Sequence, residues 1–511
     1  MIVRIGSFAA AGIDAYPVEI EVDASRGFSK LHIVGLADTA IRESKERVKT
    51  AIKNSGFKWP KGRITINLAP PDIRKEGTSF DLAIALGIIA ASKQMPVEHL
   101  QNYSIAGSLS LDGSLRPTRG ILAISLAAAR TPVRNLLIPR HNAKEAAIVA
   151  GISVWPVKSI REAVHLLQDP EHIQPFKMPA EDIFCSTKCY PVDFSEVKGQ
   201  YFAKRALEIA VSGGHNVLMI GPPGSGKTML AQCIPTIMPD LTLPESLEVT
   251  RIHSIAGLRE GTDGVVNTRP FRNPHHNTSS AALIGGGAQL RPGEISLAHH
   301  GVLFLDELPE FNRDCLEALR QPLEEGNVRI SRARFSSLVP ASFMLVAAMN
   351  PCPCGYYTDK RRSCRCTPGR IESYLKKVSG PLLDRIDIHV ELPAVVYRDL
   401  TDTRAGESSY QIRQRVEKVR TVQKERLQQH GIFVNARMRM KQLRACCNLN
   451  ASSHNLLKAA MQELELSARA YIKILKVSRT IADMGESEHI RPEHIAEAVQ
   501  YRSLDRGIFM P

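Results

Sequence analysis

Long apolar runs and aromatic residues are scarce in this chain of 511 residues. No run of about 18 apolar residues occurs, which excludes a membrane-spanning helix. The N-terminal segment also lacks the continuous apolar stretch and the cleavage site of a signal peptide, so we expect a cytoplasmic protein with no membrane partner. Aromatic residues make up 5% of the chain and hydrophobic residues 43%. This composition favours a globular α/β protein with an aliphatic core over a disordered chain.

Acidic residues are the scarcer of the two charged classes. Lysine and arginine number 66 against 52 aspartates and glutamates, which gives a net charge of +14. This balance favours an anionic partner, nucleic acid before a membrane surface, although a merely soluble basic protein can carry the same charge. The ten cysteines of a chain without a leader are expected to be reduced thiols or metal ligands.

Changes in sequence pattern divide the chain into four segments. Residues 1–168 alternate β-like runs with helical stretches and predict one αβ unit. Residues 169–192 are rich in proline and charge and lack periodicity, so we interpret them as a linker. Residues 193–395 contain apolar strands that end in motifs, and residues 396–511 are mostly helical.

In residues 1–168 the alternation of predicted strands and helices is clearest. Its predicted strands lie in VEIEVD, LHIVGL, RITINL and NLLIP, and its predicted helices at 37–54 and 79–93.

A phosphate-binding pattern follows the apolar strand predicted at 216–220. Its glycines let backbone N–H groups surround phosphate, and the N-terminus of the following helix favours negative charge. We expect Lys227 to reach the β- and γ-phosphates of ATP and the Thr228 hydroxyl to ligate Mg²⁺. The predicted nucleotide-binding residues of this pattern are Gly221, Pro222, Pro223, Gly224, Ser225, Gly226, Lys227 and Thr228.

Two further apolar runs end in polar residues that suit ATP hydrolysis. The run GVLFLDELPE places Asp306 and Glu307 at a strand end beside the phosphate loop. We expect Asp306 to hold Mg²⁺ through water at the nucleotide and Glu307 to polarise the attacking water. The run FMLVAAMNP ends in Asn350, which could orient water or sense the γ-phosphate. The alternative for Asn350 is a strand-end residue that caps a turn.

With these motifs the sequence resembles an AAA+ ATPase. The segment PLLDRIDIHVELP resembles the arginine-finger segment of the magnesium-chelatase and MCM-like branch, which puts Arg385 at the finger position. The segment LSARAYIKILKVSRTIADM resembles the sensor-2 helix of that branch, with Arg469 as the sensor. A finger acts on the ATP of a neighbouring subunit, so the resemblance implies a homo-hexameric ring. Surface ion pairs are the alternative for both arginines.

Longer strings make the resemblance more specific. They are IVGLADTAIRESKERVKTAIKNSGF, INLAPPDIRKEGTSFDLAIAL, RPFRNPHHNTSSAALIGGG and NPCPCGYYTDKRRSCRCTP. Across nearly its whole length the chain is similar to the YifB/ComM family of magnesium-chelatase-like AAA+ proteins. The resemblance implies a Lon-protease-like α+β N-terminal domain, an AAA+ α/β core with the phosphate loop, and a C-terminal helical lid. It also implies a hexameric helicase that promotes branch migration of recombining DNA in natural transformation.

The N-terminal segment carries an incomplete protease signature. The run KEGTSFDLAIALGIIAA resembles the segment around the catalytic serine of Lon proteases, with Ser79 at the nucleophile position. Lon activates this serine with a lysine, but the corresponding position holds Leu122, and no lysine occurs between Lys93 and Lys144. We therefore interpret Ser79 as a turn or helix-capping residue and the domain as non-proteolytic.

Basic residues concentrate in the segment 326–377, which contains ten lysines and arginines and only two acidic residues. The run NVRISRARFSSLVPASFML predicts two short strands that carry Arg329, Arg332 and Arg334. The family resemblance makes this a hairpin that projects into the ring pore, where arginines suit sequence-independent contact with DNA phosphates. A solvated basic hairpin at a subunit contact is the alternative.

A second candidate DNA contact is the segment PFRNPHHNTSSAALIGGG at 270–287. By resemblance it lies where this AAA+ branch inserts a pore-facing hairpin. Asn273, Asn277 and Thr278 are short neutral groups that suit phosphate oxygens, and the three glycines would let the loop move. The adjacent histidines are poorly spaced for joint metal ligation. We expect a loop that grips single-stranded and branched DNA; a buried polar turn is the alternative.

Four cysteines follow Asn350 in a C-x-C, nine residues, C-x-C pattern. Four thiolates can satisfy a tetrahedral Zn²⁺, and a site with four protein ligands is structural because no position stays open. The spacing is tighter than the usual two-residue gap, and reduced, metal-free thiols fit the sequence equally well. The candidate ligands are Cys352, Cys354, Cys364 and Cys366.

Three functions remain in competition at this stage. The first is an ATP-driven DNA motor with ATP and Mg²⁺ as cofactors. The second is an AAA+ chelatase or protein-remodelling ATPase, against which the basic segments and the Lon-like domain argue. The third is an ATP-dependent Lon-like protease, against which the missing lysine argues.

Overall fold

The computed structural model describes residues 2–11, 13–25, 30–35, 38–71, 75, 77–170, 173–178, 190–258, 264–286, 291–332, 335–357, 359, 361–395 and 406–502. Most of the predicted linker, including 179–189, lies outside these residues. The chain forms two compact units. The N-terminal unit comprises Met1–Thr187, Leu243–Asn267 and Gln289–Arg291, and the C-terminal unit comprises Lys188–Thr242, Thr268–Ala288 and Pro292–Pro511.

Strands and helices alternate through the first two thirds of the chain, and helices dominate the last third. The strands are β1 Ile2–Ala11, β2 Asp14–Ser25, β3 Lys30–Val34, β4 Arg63–Ala69, β5 Tyr103–Ile105, β6 Ser108–Leu109, β7 Leu115–Arg116, β8 Asn135–Pro139, β9 Ser153–Val157, β10 Val217–Ile220, β11 Phe271–Arg272, β12 Gly285–Gly286, β13 Arg291–Pro292, β14 Val302–Leu305, β15 Asn327–Arg332, β16 Phe335–Pro340, β17 Met344–Met349 and β18 Ile388–Glu391.

The helices are likewise numbered along the chain. They are α1 Thr39–Asn54, α2 Asp81–Ala91, α3 Ile121–Ala128, α4 Ala143–Ala147, α5 Ile160–Gln168, α6 Tyr201–Gly213, α7 Lys227–Ile237, α8 Leu243–Ile255, α9 Ser280–Ile284, α10 Glu294–Leu297, α11 Arg313–Ala318, α12 Arg320–Glu325, α13 Pro368–Leu375, α14 Gly380–Leu383, α15 Ser409–Leu427, α16 Met440–Cys446, α17 Ala451–Glu463, α18 Ala468–Met484 and α19 Pro492–Gln500. Among the described residues, no helix combines the length and apolar character that crossing a membrane requires.

The N-terminal unit is built on a seven-stranded mixed sheet with the order β3-β4-β2-β1-β5-β8-β9. The four predicted strands and both predicted helices of this segment are present. Helix α2 is apolar on all sides and every one of its residues is buried, as expected of a helix enclosed by other elements. Gly87 permits this packing, because a Cβ there would lie 2.7 Å from Cγ2 of Val22 and 2.9 Å from Cδ1 of Ile5.

Ser79 and Leu122, the residues at the positions of the Lon catalytic serine and lysine in the predicted resemblance, both lie in this unit. Ser79 is in the turn before α2, where its carbonyl accepts a hydrogen bond from the N–H of Gly107 at 2.7 Å. Leu122 is in α3 and is fully buried. Its hydrocarbon side chain cannot accept a proton from a serine hydroxyl.

The C-terminal unit is built on a five-stranded sheet with the order β11-β14-β17-β10-β18, in which every pair is parallel. The strands β10, β14 and β17 are buried along their whole length, which explains why each reads as a continuous apolar run. Because all five strands are parallel, the loops after their carboxyl ends meet at one edge of the sheet, where ligands bind in open α/β sheets. The phosphate-binding pattern and both polar strand ends lie at this edge.

The C-terminal helices share one hydrophobic core with that sheet. Val416 of α15 and Ile481 of α18 belong to the same buried cluster as Val217 of β10 and Val302 of β14. Helix α15 begins with a capping box formed by Ser408 and Gln411, which satisfies the free N–H groups of its first turn. The predicted helical segment therefore packs as part of the C-terminal unit.

Candidate functional site

The phosphate loop joins β10 to α7. Gly226 precedes the helix with φ = 86°, in the left-handed region that glycine adopts without strain. Gly221 lies against the chain after β18, and a Cβ there would come within 2.5 Å of the carbonyl oxygen of Leu392. The first glycine therefore allows close packing and the last allows the turn into the helix, whose N-terminus faces the loop.

Lys227 closes this loop from inside. Its Nζ donates to the carbonyl oxygens of Gly221 at 2.7 Å and Pro222 at 3.0 Å, and to Oδ1 of Asn350 at 3.2 Å. Burial lowers the pKa of Lys227, and the nearby carboxylates of Asp306 and Glu307 partly oppose that shift. The structure thus brings Asn350 together with the lysine predicted to bind phosphate.

The second pair of contacts surrounds the predicted magnesium position. The Thr228 hydroxyl donates to Oδ2 of Asp306 at 2.9 Å, so the two predicted magnesium ligands already touch. The N–H of Glu307 donates to Oδ1 of the same aspartate at 3.0 Å. Glu307 has φ = 53°, an uncommon conformation for a non-glycine residue, and its side chain is 54% exposed. The carboxylate predicted to polarise water therefore projects beyond the end of β14 and is accessible to solvent.

One neighbour of this carboxylate, His276, was not predicted from the sequence. Nδ1 of His276 lies 3.2 Å from Oε2 of Glu307, and the ring of His276 is tilted by 36° to that of His275, with centroids 4.1 Å apart. When Nδ1 of His276 carries a proton, the imidazole can donate a hydrogen bond to the carboxylate of Glu307. The contact arises because β11 pairs directly with β14, and the order of strands was not part of the sequence-based prediction.

The rest of the 270–287 segment forms a short loop followed by α9. The N–H of Thr278 donates to the carbonyl of His275 at 2.9 Å, and that of Asn277 donates to Nδ1 of His275 at 3.2 Å. Ser279 caps α9. Asn273 and Asn277 are exposed, and the last of the three glycines lies outside the described residues. Contact of this loop with DNA stays a prediction.

The basic hairpin is present as β15 and β16. Val328 pairs with Val339, and Arg329 pairs with Leu338. The two valines are buried, whereas Arg329 and Leu338 are exposed, so the strands alternate as a half-buried hairpin should. The side chain of Arg332 and the whole of Arg334 lie outside the described residues, and the role of the hairpin in DNA binding stays a prediction.

The two arginines expected to act on ATP are engaged in ion pairs within the single chain. Arg385 pairs with Glu324 and donates to the carbonyl of Pro381 at 2.6 Å. Arg469 lies 2.9 Å from Oδ2 of Asp384, and its side chain is 63% exposed. Ion pairing was the alternative for both residues. Their roles as finger and sensor stay predictions, because the finger is expected to act on a neighbouring chain.

The four clustered cysteines lie directly beyond β17. Sγ of Cys352 is 3.3 Å from that of Cys354 and 3.7 Å from that of Cys364, and the latter two are 3.6 Å apart. With Cys366, all four sulfurs lie within 4.8 Å of one another. Backbone N–H groups of Arg365 and Tyr356 lower the pKa of Cys354 to about 6, whereas burial raises that of Cys352 to about 12. This group of sulfurs could hold one metal ion.

Comparison with known protein families covers nearly the whole chain. Residues 193–400 match the family model of magnesium chelatase, subunit ChlI; residues 20–142 match subunit ChlI of Mg-chelatase; and residues 406–502 match the C-terminal region of subunit ChlI.

Full-length relatives define the family. The chain is 43% identical over 502 residues to competence protein ComM of Haemophilus influenzae, covering 98% of this chain and 97% of the relative. It is 42% identical over 505 residues to the YifB protein of Escherichia coli K12, covering 98% and 96%. The chain belongs to the YifB/ComM family. Its C-terminal unit has the magnesium-chelatase-like AAA+ fold, with a helical region at the C-terminus.

Similarity to Lon protease 2 of Bacillus subtilis is partial. It amounts to 26% identity over 177 residues, or 31% of each chain. Together with the mixed sheet of the N-terminal unit, it agrees with the predicted Lon-like fold. The fold does not carry the proteolytic activity with it, because activity depends on particular side chains.

Different residues at the sheet edge are assigned to ATP binding and to ATP hydrolysis, so substitutions should affect the two activities separately. We predict that Lys227→Ala lowers the affinity for a fluorescent ATP analogue by at least about tenfold, because the loop loses its one buried ammonium group. Glu307→Gln should bind the analogue as the unaltered chain does and lose hydrolysis by at least about 100-fold, because an amide cannot polarise water as a carboxylate does.

Fluorescence anisotropy and phosphate release measure the two effects. Glu310→Gln, a nearby exposed glutamate after the same strand, is the matched control and should retain both activities. Normal hydrolysis by Glu307→Gln would contradict the assignment of Glu307.

Proposed function

We propose that the chain assembles in the cytoplasm as a homo-hexameric ring that hydrolyses Mg²⁺-bound ATP to move DNA through its pore. The substrate is single-stranded and branched DNA. The work performed is branch migration during homologous recombination, as in natural transformation. One observation carries this proposal: the same unit brings the residues predicted to hydrolyse ATP into contact and contains a strongly basic segment.

The nucleotide half of the proposal rests on the contacts at the sheet edge. Lys227 contacts Asn350, and Thr228 contacts Asp306, so the residues that follow β10 are linked to the carboxyl ends of β17 and β14. Magnesium would be held by Thr228 and Asp306 and would neutralise charge on the phosphates. Glu307 follows immediately, exposed where a water molecule can reach it.

The DNA half of the proposal rests on charge. Residues 326–377 carry a net charge of +8 from ten basic and two acidic residues, and Arg329 on the hairpin is exposed. Such charge attracts phosphates without reading sequence. A relative with 43% identity over 98% of the chain bears the name competence protein, which favours DNA as the substrate over a protein.

The first test measures ATP hydrolysis alone and with single-stranded, duplex and four-way-junction DNA, at about 50 and 200 mM salt. We expect DNA to stimulate hydrolysis at low salt and the stimulation to fall at high salt, since phosphate contacts release counterions. Arg329→Ala combined with Arg332→Ala should weaken DNA stimulation by at least about tenfold and spare basal hydrolysis.

Lys458→Ala removes an exposed basic side chain from α17 and is the control, expected to keep the stimulation. An ATP hydrolysis rate that DNA does not change at either salt concentration would contradict the DNA motor and favour a protein-remodelling ATPase.

The ring makes a separate prediction about Arg385. Arg385→Ala should bind ATP normally but lose turnover by about 10³-fold, because a finger stabilises charge on the neighbour's nucleotide. Lys227→Ala chains lack a nucleotide but retain the finger, so mixing the two inactive variants should restore part of the hydrolysis.

Phosphate release from mixtures of varying ratio is the measurement. Arg320→Ala, which removes an arginine paired with Glu317 at 2.7 Å, is the matched control and should stay active alone. No recovery on mixing, or loss of ATP binding by Arg385→Ala, would show that the arginine acts within its own chain.

A further inference from the structure

The cysteine cluster has the dimensions of a metal site. A zinc–sulfur bond of about 2.3 Å places the corners of a tetrahedron about 3.8 Å apart, and three of the sulfur pairs lie at 3.3, 3.7 and 3.6 Å. All four thiols are free rather than joined as disulfides. The sulfurs therefore converge on one point without bonding to one another, as ligands of a single ion do.

The surroundings of the sulfurs suit a bound cation with four thiolates. The N–H of Cys366 points to Sγ of Cys364 at 3.4 Å. This donor stabilises negative charge on sulfur. Cys352 is fully buried, and a thiolate at this position would require a cation beside it.

Exposed arginines occur in the same segment of the chain. Zn²⁺ with four thiolates has a net charge of −2; Arg362 and Arg365 are exposed, and Arg361 is paired with Asp359 at 3.4 Å. Arg362 donates to the hydroxyl of Tyr356 at 3.0 Å, which holds it over the loop. Soft thiolates in a tetrahedral arrangement favour zinc over magnesium or calcium.

The cluster is also joined to the nucleotide site. Cys352 follows Asn350 by two residues, and Asn350 accepts the hydrogen bond from Lys227 at 3.2 Å. Gly355, in the same turn, packs on the phosphate loop: a Cβ on it would lie 2.6 Å from Cδ of Pro223 and 3.8 Å from Cγ of Asn350. The turn that carries the first two cysteines thus packs against both the phosphate loop and Asn350.

We propose that Cys352, Cys354, Cys364 and Cys366 bind one Zn²⁺ and that this ion holds the turn 352–355 against Pro223, fixing Asn350 beside Lys227. Zinc is structural here because four protein ligands leave no coordination position for a reaction. The ion would influence ATP hydrolysis only by holding the turn 352–355 in place. This part of the proposal rests on the proposed ATP hydrolysis. Without the ion, the turn loses its anchor and Asn350 loses its fixed position.

The metal is tested on the full chain, purified with a reductant. Elemental analysis should find one zinc per chain, and a mercurial that blocks thiols should release it to a zinc-sensitive dye. Cys364→Ser should lose most of the zinc, whereas Cys446→Ser, a thiol outside the cluster, should retain it. Absence of zinc from zinc-supplemented preparations, or a disulfide within the cluster, would overturn the metal site.

The coupling to ATP is tested with a rescue variant. Cys364→His keeps a zinc set of three cysteines and one histidine and should retain both zinc and hydrolysis. Cys364→Ser should lose hydrolysis by at least about tenfold, because a small displacement of a catalytic group costs that much. Circular dichroism reports whether each variant is folded.

Each result has a distinct meaning. A folded, zinc-free Cys364→Ser chain with normal hydrolysis would overturn the coupling and leave the metal site standing. An unaltered chain that binds zinc but hydrolyses no ATP would overturn the proposed function instead. An unfolded Cys364→Ser chain whose histidine counterpart is folded and zinc-loaded would support zinc as the structural anchor.

Discussion

A buried ammonium group organises the nucleotide site. Lys227 lies at the start of α7 and donates to two loop carbonyls and to Asn350, so a single side chain links β10, the phosphate loop and β17. Thr228, the next residue, links the same helix to β14 through Asp306. The carboxyl ends of three neighbouring strands are thereby held around one point. We expect oxygen atoms of a bound phosphate to replace the carbonyls as partners of Lys227.

The C-terminal helices belong to the same compact unit as the five-stranded sheet. Lys473 of α18 donates to Oδ1 of Asp387 at 2.6 Å, immediately before β18, and His215 lies 3.6 Å from the same carboxylate. Burial by itself raises the pKa of Asp387, but the Lys473 ammonium and His215 lower it well below its usual value. A charged group buried among partners resists displacement. The helix that carries Arg469 is therefore fixed to the amino end of β18, at the edge of the sheet opposite the candidate nucleotide site.

Local chemistry explains which features the sequence predicted. Strands such as β10 and β14 are continuous apolar runs because parallel strands are buried on both faces, and the phosphate loop is defined by adjacent glycines and a lysine. The contact between His276 and Glu307 depends on which strands are neighbours in the sheet. The ion pair between Arg385 and Glu324 depends on folding that brings together residues 61 positions apart. Spacing alone also left the cysteines undecided between free thiols and a metal site; folding brings their sulfurs together.

The central claim is that ATP hydrolysis at this sheet edge moves branched DNA, and a mobile four-way junction with one labelled strand tests it most directly. Electrophoresis resolves the intact junction from its duplex products over time. We expect conversion by the unaltered chain with ATP and Mg²⁺, and none with a non-hydrolysable ATP analogue or with Glu307→Gln. A junction that stays intact while the chain hydrolyses ATP in its presence would rule out this mechanism.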